Sequence, residues 1–160
     1  MIMVRRAGPA DWEALRDIRL AALKDAPDAF GTTYAEQEAF TRRDWLDRIA
    51  SSPRFLAHVD DEPAPSGLAG GYASEPGVVE LISMWVHPRG RGRGVSEALI
   101  DAVANWAATD QHAATLHLWV TESNKPARRL YERTGFTPTG ERQPLASNPA
   151  LPEIAMSRPL

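Results

Sequence analysis

The 160-residue sequence contains no cysteine. That absence removes disulfides, thiolate nucleophiles and thiolate zinc sites together, and it fits a reducing compartment, so the expected setting is cytoplasmic. The sequence also lacks any apolar run near the ~18 residues that a membrane span requires. Its opening stretch MIMVRRAGPADW turns polar after four residues and is no signal-peptide core, so no membrane partner is expected. An excess of positive charge is missing too. Eighteen Lys and Arg against 21 Asp and Glu leave a net charge of −3, which gives no overall reason to bind nucleic acid; any basic site must be local. No set of His, Asp and Glu has metal-ligand spacing, and no metal is expected. What is present is a globular composition, 43% hydrophobic and 24% charged, in a length that suits one domain over residues 1–160.

Periodicity and breakers predict the elements. Residues 2–7 read as a first strand, and Pro9-Ala10-Asp11 opens a helix with Trp12, Leu15, Ile18, Ala22 and Leu23 at helical spacing. That helix ends near Asp25-Ala26-Pro27. Residues 28–40 show no period and read as a loop. Thr41 caps a second helix reaching Ala50, which Ser51-Ser52-Pro53 breaks. Strands are expected at 55–59, 68–73 and 78–86, with the prolines of 60–66 confined to a turn. From Val95 the apolar positions 95, 98, 99, 102, 103 and 106 follow the series of an amphipathic helix. Leu116, Leu118 and Val120 alternate as a strand, and 126–134 is a short helix closed by Gly135. The last strands lie at 136–140 and 152–157, joined by an irregular stretch. This order predicts an α/β (α+β) domain with a mixed sheet flanked by helices.

The segment Val86-His87-Pro88-Arg89-Gly90-Arg91-Gly92-Arg93-Gly94-Val95-Ser96 joins an apolar strand directly to the N-terminus of the most regular helix. Such a junction binds anions: glycines let N–H groups converge, the helix end adds partial positive charge, and the arginines add full charges. Phosphate is the natural ligand. The string GxxxxGK[ST] is absent, and a Rossmann fingerprint read from Gly92 needs glycine where Glu97 stands. Arg-Gly pairs set between a strand and a helix in an acidic chain also make a poor RNA-binding tail.

In this setting Arg91-Gly92-Arg93-Gly94-Val95-Ser96 resembles the pyrophosphate-binding signature [QR]-x-x-G-x-[GA] of the GCN5-related N-acetyltransferases (GNAT), with Ser96 where the family has Gly or Ala. A second family pattern, N-x-x-A-x-x-x-Y-x-x-x-G-F, is matched by Asn124, Ala127, Tyr131, Gly135 and Phe136. The resemblance covers about residues 78–137. It implies the GNAT acyl-CoA N-acyltransferase fold, a central splayed mixed sheet with acetyl-CoA as co-substrate in its opening. By that resemblance the backbone of Met84, Trp85 and Val86 pairs with the pantetheine arm. The amides of Arg91, Gly92, Arg93, Gly94, Val95 and Ser96 hold the pyrophosphate, and Asn124 and Ala127 flank the cofactor. The resemblance also gives Tyr131 the role of protonating the departing thiolate, and Glu80 that of a base acting through water. Read from the residues alone, Tyr131 also suits a core ring and Glu80 a solvent-facing or edge strand position, while His87 and His117 read as structural.

The expected function is acetyl transfer to an amine acceptor, a small molecule or a peptide. Attack is direct, because no Cys is available and nothing resembles a serine elbow. A noncatalytic acyl-CoA-binding regulatory module is the alternative, and a protein-interaction module a third reading. The acceptor side falls to segments without a motif, with 30–40 and 145–151 expected to line it, and the net negative charge favours a cationic amine slightly. A homodimer is a family expectation.

Overall fold

Alternation along the strands divides the apolar side chains between two layers. The computed structural model describes residues 1–160. Strands β1 (Ile2–Arg6), β2 (Arg54–Val59), β3 (Gly67–Glu75), β4 (Val78–Val86), β5 (Thr115–Thr121), β6 (Thr137–Leu145) and β7 (Asn148–Pro159) form one sheet, ordered β1-β2-β3-β4-β5-β7-β6. On one face Leu56, Leu68 and Trp85 pack beneath α1 (Trp12–Asp25), α2 (Tyr34–Glu38) and α3 (Arg42–Ser51), joining Leu15, Leu23 and Trp45. On the other, Phe55, Ala57, Ala69 and Val79 meet α4 (Val95–Thr109) and α5 (Lys125–Arg133). A sheet covered on both faces explains why β2 reads as a nearly unbroken apolar run. No helix is long and apolar enough to cross a membrane.

Local chemistry sets the ends. Thr41 Oγ1 accepts from the Asp44 amide at 3.2 Å while Asp44 Oδ2 accepts from the Thr41 amide at 2.8 Å, the expected cap of α3 in its reciprocal form. Gly135, at φ +101°, closes α5 in the left-handed conformation that glycine reaches without strain. The buried stripe of α4 is Val95, Leu99, Ile100, Val103, Ala104 and Ala107, turned slightly from the expected series because Ala98, Ala102 and Trp106 sit at its half-exposed margin.

Two segments are more ordered than expected. Within residues 28–40, Tyr34–Glu38 forms a helix capped by Thr33, too short at five residues to display a period. The stretch expected to be irregular, 140–151, is the tip of the β6–β7 hairpin. Its polar, proline-bearing sequence carries no alternation because β6 lies at the sheet edge with eight of its nine residues exposed.

The expected opening of the sheet follows from its register. β4 pairs with β5, in parallel, only at Val78↔Thr115, Val79↔Leu116 and Glu80↔His117; beyond Glu80 the strands part. A bulge in β4 lies at the divergence. Leu68↔Trp85 and Gly70↔Ile82 set Ser83 and Met84 against Ala69 alone, and Ser83 adopts φ +58°. Such a bulge bends and twists the strand, at a cost of about 1–2 kcal/mol for a left-handed non-glycine residue.

Gly67 couples this frame to α4. A Cβ there would lie 2.7 Å from Val95 Cγ1 and 2.8 Å from Leu99 Cδ1. Gly67→Ala is therefore expected to lower stability by about 1–3 kcal/mol through overpacking, measured by urea unfolding. An unchanged midpoint would mean that α4 can back away from the sheet.

Candidate functional site

Two cavities meet in the sheet opening and share Ala29, Met84 and Tyr131 in their walls. The first, about 480 Å³, is walled by Met84, Trp85 and Val86 on one side and by Asn124, Pro126, Ala127 and Leu130 on the other, with Arg91 and Ser96 at one end. The edge of β4 facing β5 has no strand partner there, so main-chain donors and acceptors are free to take an extended ligand. Met84, Trp85, Val86, Asn124, Ala127 and Tyr131 are thus brought together as expected. Asn124 also caps α5, its Oδ1 accepting from the Ala127 amide at 3.3 Å.

The loop from Pro88 to α4 turns on Gly92 and Gly94, at φ +73° and +84°. A Cβ at Gly92 would meet nothing within 4 Å, and at Gly94 only Ile2 Cδ1 at 3.7 Å, so the backbone conformation rather than space calls for glycine. The amides opening α4 have no intrahelical acceptors and border a recess of about 220 Å³ lined by Gly92, Gly94, Val95, Ser96, Glu97 and Arg133, the last two paired at 3.0 Å. The arginines differ from expectation. Arg89 pairs with Glu62 at 3.2 Å and Arg93 with Asp60 at 3.1 Å. Arg91 donates from Nε to the Val86 carbonyl at 3.0 Å and from Nη2 to Asp25 Oδ2 at 2.7 Å. Each is satisfied by the fold itself, so anion attraction rests on the amides and the helix end. Asp25 also accepts from Trp85 Nε1 at 3.0 Å, and these two donors hold its carboxyl below the usual range. His87 caps the turn, its Nδ1 accepting from the Arg89 amide at 3.2 Å.

Tyr131 is buried, its ring set edge-on to Phe136 with centroids 5.7 Å apart. Burial raises the phenol pKa well above its usual value, so the hydroxyl keeps its proton across the physiological range.

The second cavity, about 390 Å³, lies beyond Met84 and Tyr131 and includes Glu80, Trp119 and Glu153. Glu80 is neither solvent-facing nor isolated: Oε1 lies 3.3 Å from His117 Nδ1, with both side chains 17% exposed. His117 stands edge-on to Trp119 at 5.7 Å between centroids. Burial, with the Glu80 charge and hydrogen bond adding to it, raises the pKa of Tyr72 on the neighbouring strand. Of the segments expected to line this side, Phe30–Thr32 and Gln37 do. The hairpin and the end of β5 instead hold that loop in place: Ser147 Oγ in the hairpin donates to the Phe30 carbonyl at 2.5 Å, and Thr121 Oγ1 on β5 donates to the Asp28 carbonyl at 2.5 Å. Sequence reasoning missed Arg19, Arg48 and Arg54, which also line the cavity. One signal was available: Arg19 stands inside the apolar stripe of α1, among Leu15, Ile18, Ala22 and Leu23.

Residues 12–136 match the profile of the acetyltransferase (GNAT) family. The chain belongs to the GNAT family. Among curated relatives of this GNAT chain, the mycothiol acetyltransferase of Mycolicibacterium paratuberculosis is 32% identical over 143 residues, 82% of this chain and 44% of that protein. The chain thus spans about half the length of the curated relatives it matches. Among solved structures, a GCN5-related N-acetyltransferase from Kribbella flavida superposes with a TM-score of 0.76 at 25% identity, covering 99% of this chain and 98% of that one. The Salmonella typhimurium protein yncA, solved with its cofactor acetyl-CoA, superposes with a TM-score of 0.78 at 20% identity, covering 100% and 94%.

Proposed function

We propose that this GNAT chain transfers the acetyl group of acetyl-CoA directly to an amine, with residues 1–160 acting as one acetyltransferase domain. The observation that carries the reading is the junction of the two cavities at Met84 and Tyr131. It provides a cleft for an extended thioester on one side and a chamber for a second reactant on the other. In that cleft the free edge of β4 at Met84, Trp85 and Val86 bonds the pantetheine amides. The amides of residues 91–96 hold the pyrophosphate, with Asn124 and Ala127 across the cleft. The acetyl-CoA seen in yncA supports this choice of co-substrate. A cytoplasmic setting, which the lack of cysteine fits, and a homodimer, carried over from the family resemblance, belong to the same reading.

Transfer forms one C–N bond and breaks one C–S bond. The amine must lose protons, and the departing sulfur must gain one or be hydrogen-bonded as its charge develops. Tyr131, protonated and at the junction, is the donor to sulfur. Glu80, paired with His117, accepts the amine proton through water.

An alkylamine of pKa about 10 is almost wholly protonated at neutral pH, so a base matters most there. Glu80→Gln is therefore expected to lower kcat/KM most near neutrality and to climb towards the unmutated rate as pH rises and free amine becomes abundant. A deficit constant across the profile would assign Glu80 to acceptor binding instead, and no deficit would leave it outside the reaction. The activity itself is tested by CoA thiol release from acetyl-CoA with a panel of amines. Thermal stabilisation by acetyl-CoA without release would favour a binding module.

A further inference from the structure

Three arginines from separate elements, Arg19 on α1, Arg48 on α3 and Arg54 on β2, converge on one wall of the second cavity. None of the chain's ion pairs includes any of them. Arg19 is 6% exposed; its Nε donates to Gln37 Oε1 at 3.0 Å, its guanidinium lies 4.5 Å from the Phe30 ring centre, and its Nη1 is buried without any partner. Arg54 is 7% exposed and donates to Ser52 Oγ at 2.5 Å and to the Ser52 carbonyl at 3.2 Å. Its side chain runs across β3 over Gly70, where a Cβ would come within 2.9 Å of Cδ and 3.3 Å of Nε. The missing side chain at Gly70 is what opens this path into the cavity. Arg48 stands 5.1 Å from the centre of the Phe40 ring.

Burial lowers the proton affinity of all three, and the charge of neighbouring arginines lowers it further at Arg19, to about 9, and at Arg54, to about 10, yet all three remain cationic at neutral pH. Cations gathered in a partly desolvated wall without a counter-ion are costly, and an anion seated among them removes that cost. The carboxylates of the same cavity do not serve: Glu80 is beside His117, and Glu153 accepts from Gln143 Nε2 at 2.6 Å. Both belong to the β4, β5 and β7 side of the sheet, whereas the arginines come from β2 and its overlying helices. The cavity therefore has a cationic side and a carboxylate side. A molecule with an ammonium group and an oxyanion matches both.

Resting on the acetyltransferase reading above, we infer that the acceptor is a small amine carrying a carboxylate or similar oxyanion, which Arg19, Arg48 and Arg54 hold while the amine faces Glu80 and the thioester. A guanidinium suits this role because its planar fork meets a carboxylate with two parallel hydrogen bonds. The cavity volume of about 390 Å³ fits a single small molecule. The local field thus opposes the slight preference for cationic amines drawn from the net charge of −3.

The test compares free L-amino acids with their primary amides and their decarboxylated amines, two readouts being taken on each. By CoA thiol release, the carboxylate member of each set is expected to have kcat/KM higher by on the order of tenfold or more, carried by KM. Arg48→Gln removes most of that preference and Arg48→Lys restores part of it. By thermal stabilisation of the CoA-loaded protein, amino acids raise Tm above the amides, and Arg48→Gln cancels the difference. Amides or decarboxylated amines used as well as amino acids would overturn the anion site while leaving acetyl transfer intact. No turnover of any amine, with stabilisation by amino acids that depends on Arg48, would keep the anion site and overturn acetyl transfer. Neither turnover nor selective stabilisation would overturn both.

Discussion

Gly94→Glu abolishes acetyl-CoA binding in calorimetry while circular dichroism stays native: this is the expected result, and the largest. Gly94 sits at φ +84° at the N-cap of α4, where the amides of the opening turn point into the recess beside Gly92 and Ser96. A glutamate there puts a negative charge against the site meant for a pyrophosphate. It also leaves the core alone, since a Cβ at this position meets only Ile2 Cδ1 at 3.7 Å. The left-handed backbone costs a non-glycine residue about 1–2 kcal/mol, within what a folded domain tolerates. Gly94→Ala separates the two effects, keeping the strain without the charge, and is expected to weaken binding without abolishing it. The pairing of Arg91 and Arg93 with Asp25 and Asp60 sharpens the test, because on the proposed reading the amides rather than those side chains carry the anion. Unchanged affinity in the glutamate variant would remove the loop from the cofactor site.

Tyr131→Phe is expected to slow turnover by on the order of 10²-fold with cofactor affinity little changed. The phenylalanine keeps the buried ring and its edge contact with Phe136, so only the hydroxyl is lost. Burial makes that hydroxyl a weaker acid than a free phenol, which has a definite consequence for its role. In the proposed transfer it keeps its proton across the physiological range and would stabilise the leaving sulfur first by a hydrogen bond, passing its proton only as thiolate charge builds. The wild-type rate should accordingly show no loss from tyrosine ionisation up to about pH 10, the reference value for an unburied phenol. Near-normal turnover with a lowered Tm would make Tyr131 a packing residue, and the donor would have to be sought elsewhere in the cleft.

The elements legible in the sequence are those whose own residues decide them. Val78–Val86 is a strand with the bounds its apolar run gives, Thr41 caps α3 through a contact three residues away, and Gly135 closes α5 by conformation alone. The Gly92 and Gly94 turn and the Tyr131 position were readable for the same reason, each lying within a short contiguous pattern. What escaped notice depends on distance. The far end of the β6–β7 hairpin, within 140–151, has no inward face to give it an alternating pattern, and Pro144 speaks against a strand until the edge position excuses it. Glu80 reads as an ordinary strand residue until parallel pairing with β5 sets it against His117. Arg19, Arg48 and Arg54 become one wall only when α1, α3 and β2 pack together, and Arg54 reaches it only because Gly70 on the next strand lacks a side chain. The cavity proposed for the cofactor is therefore written in local motifs, and the one proposed for the acceptor in tertiary packing.

Direct transfer is tested most plainly by a single-turnover reaction with acetyl-CoA labelled in its acetyl group, using the amino acid that the thiol-release panel ranks first. The expected result is labelled amide formed in step with released CoA thiol, with no label left on the denatured protein. Label retained covalently on the protein, or thiol released without labelled amide, would contradict direct attack of the amine on the thioester.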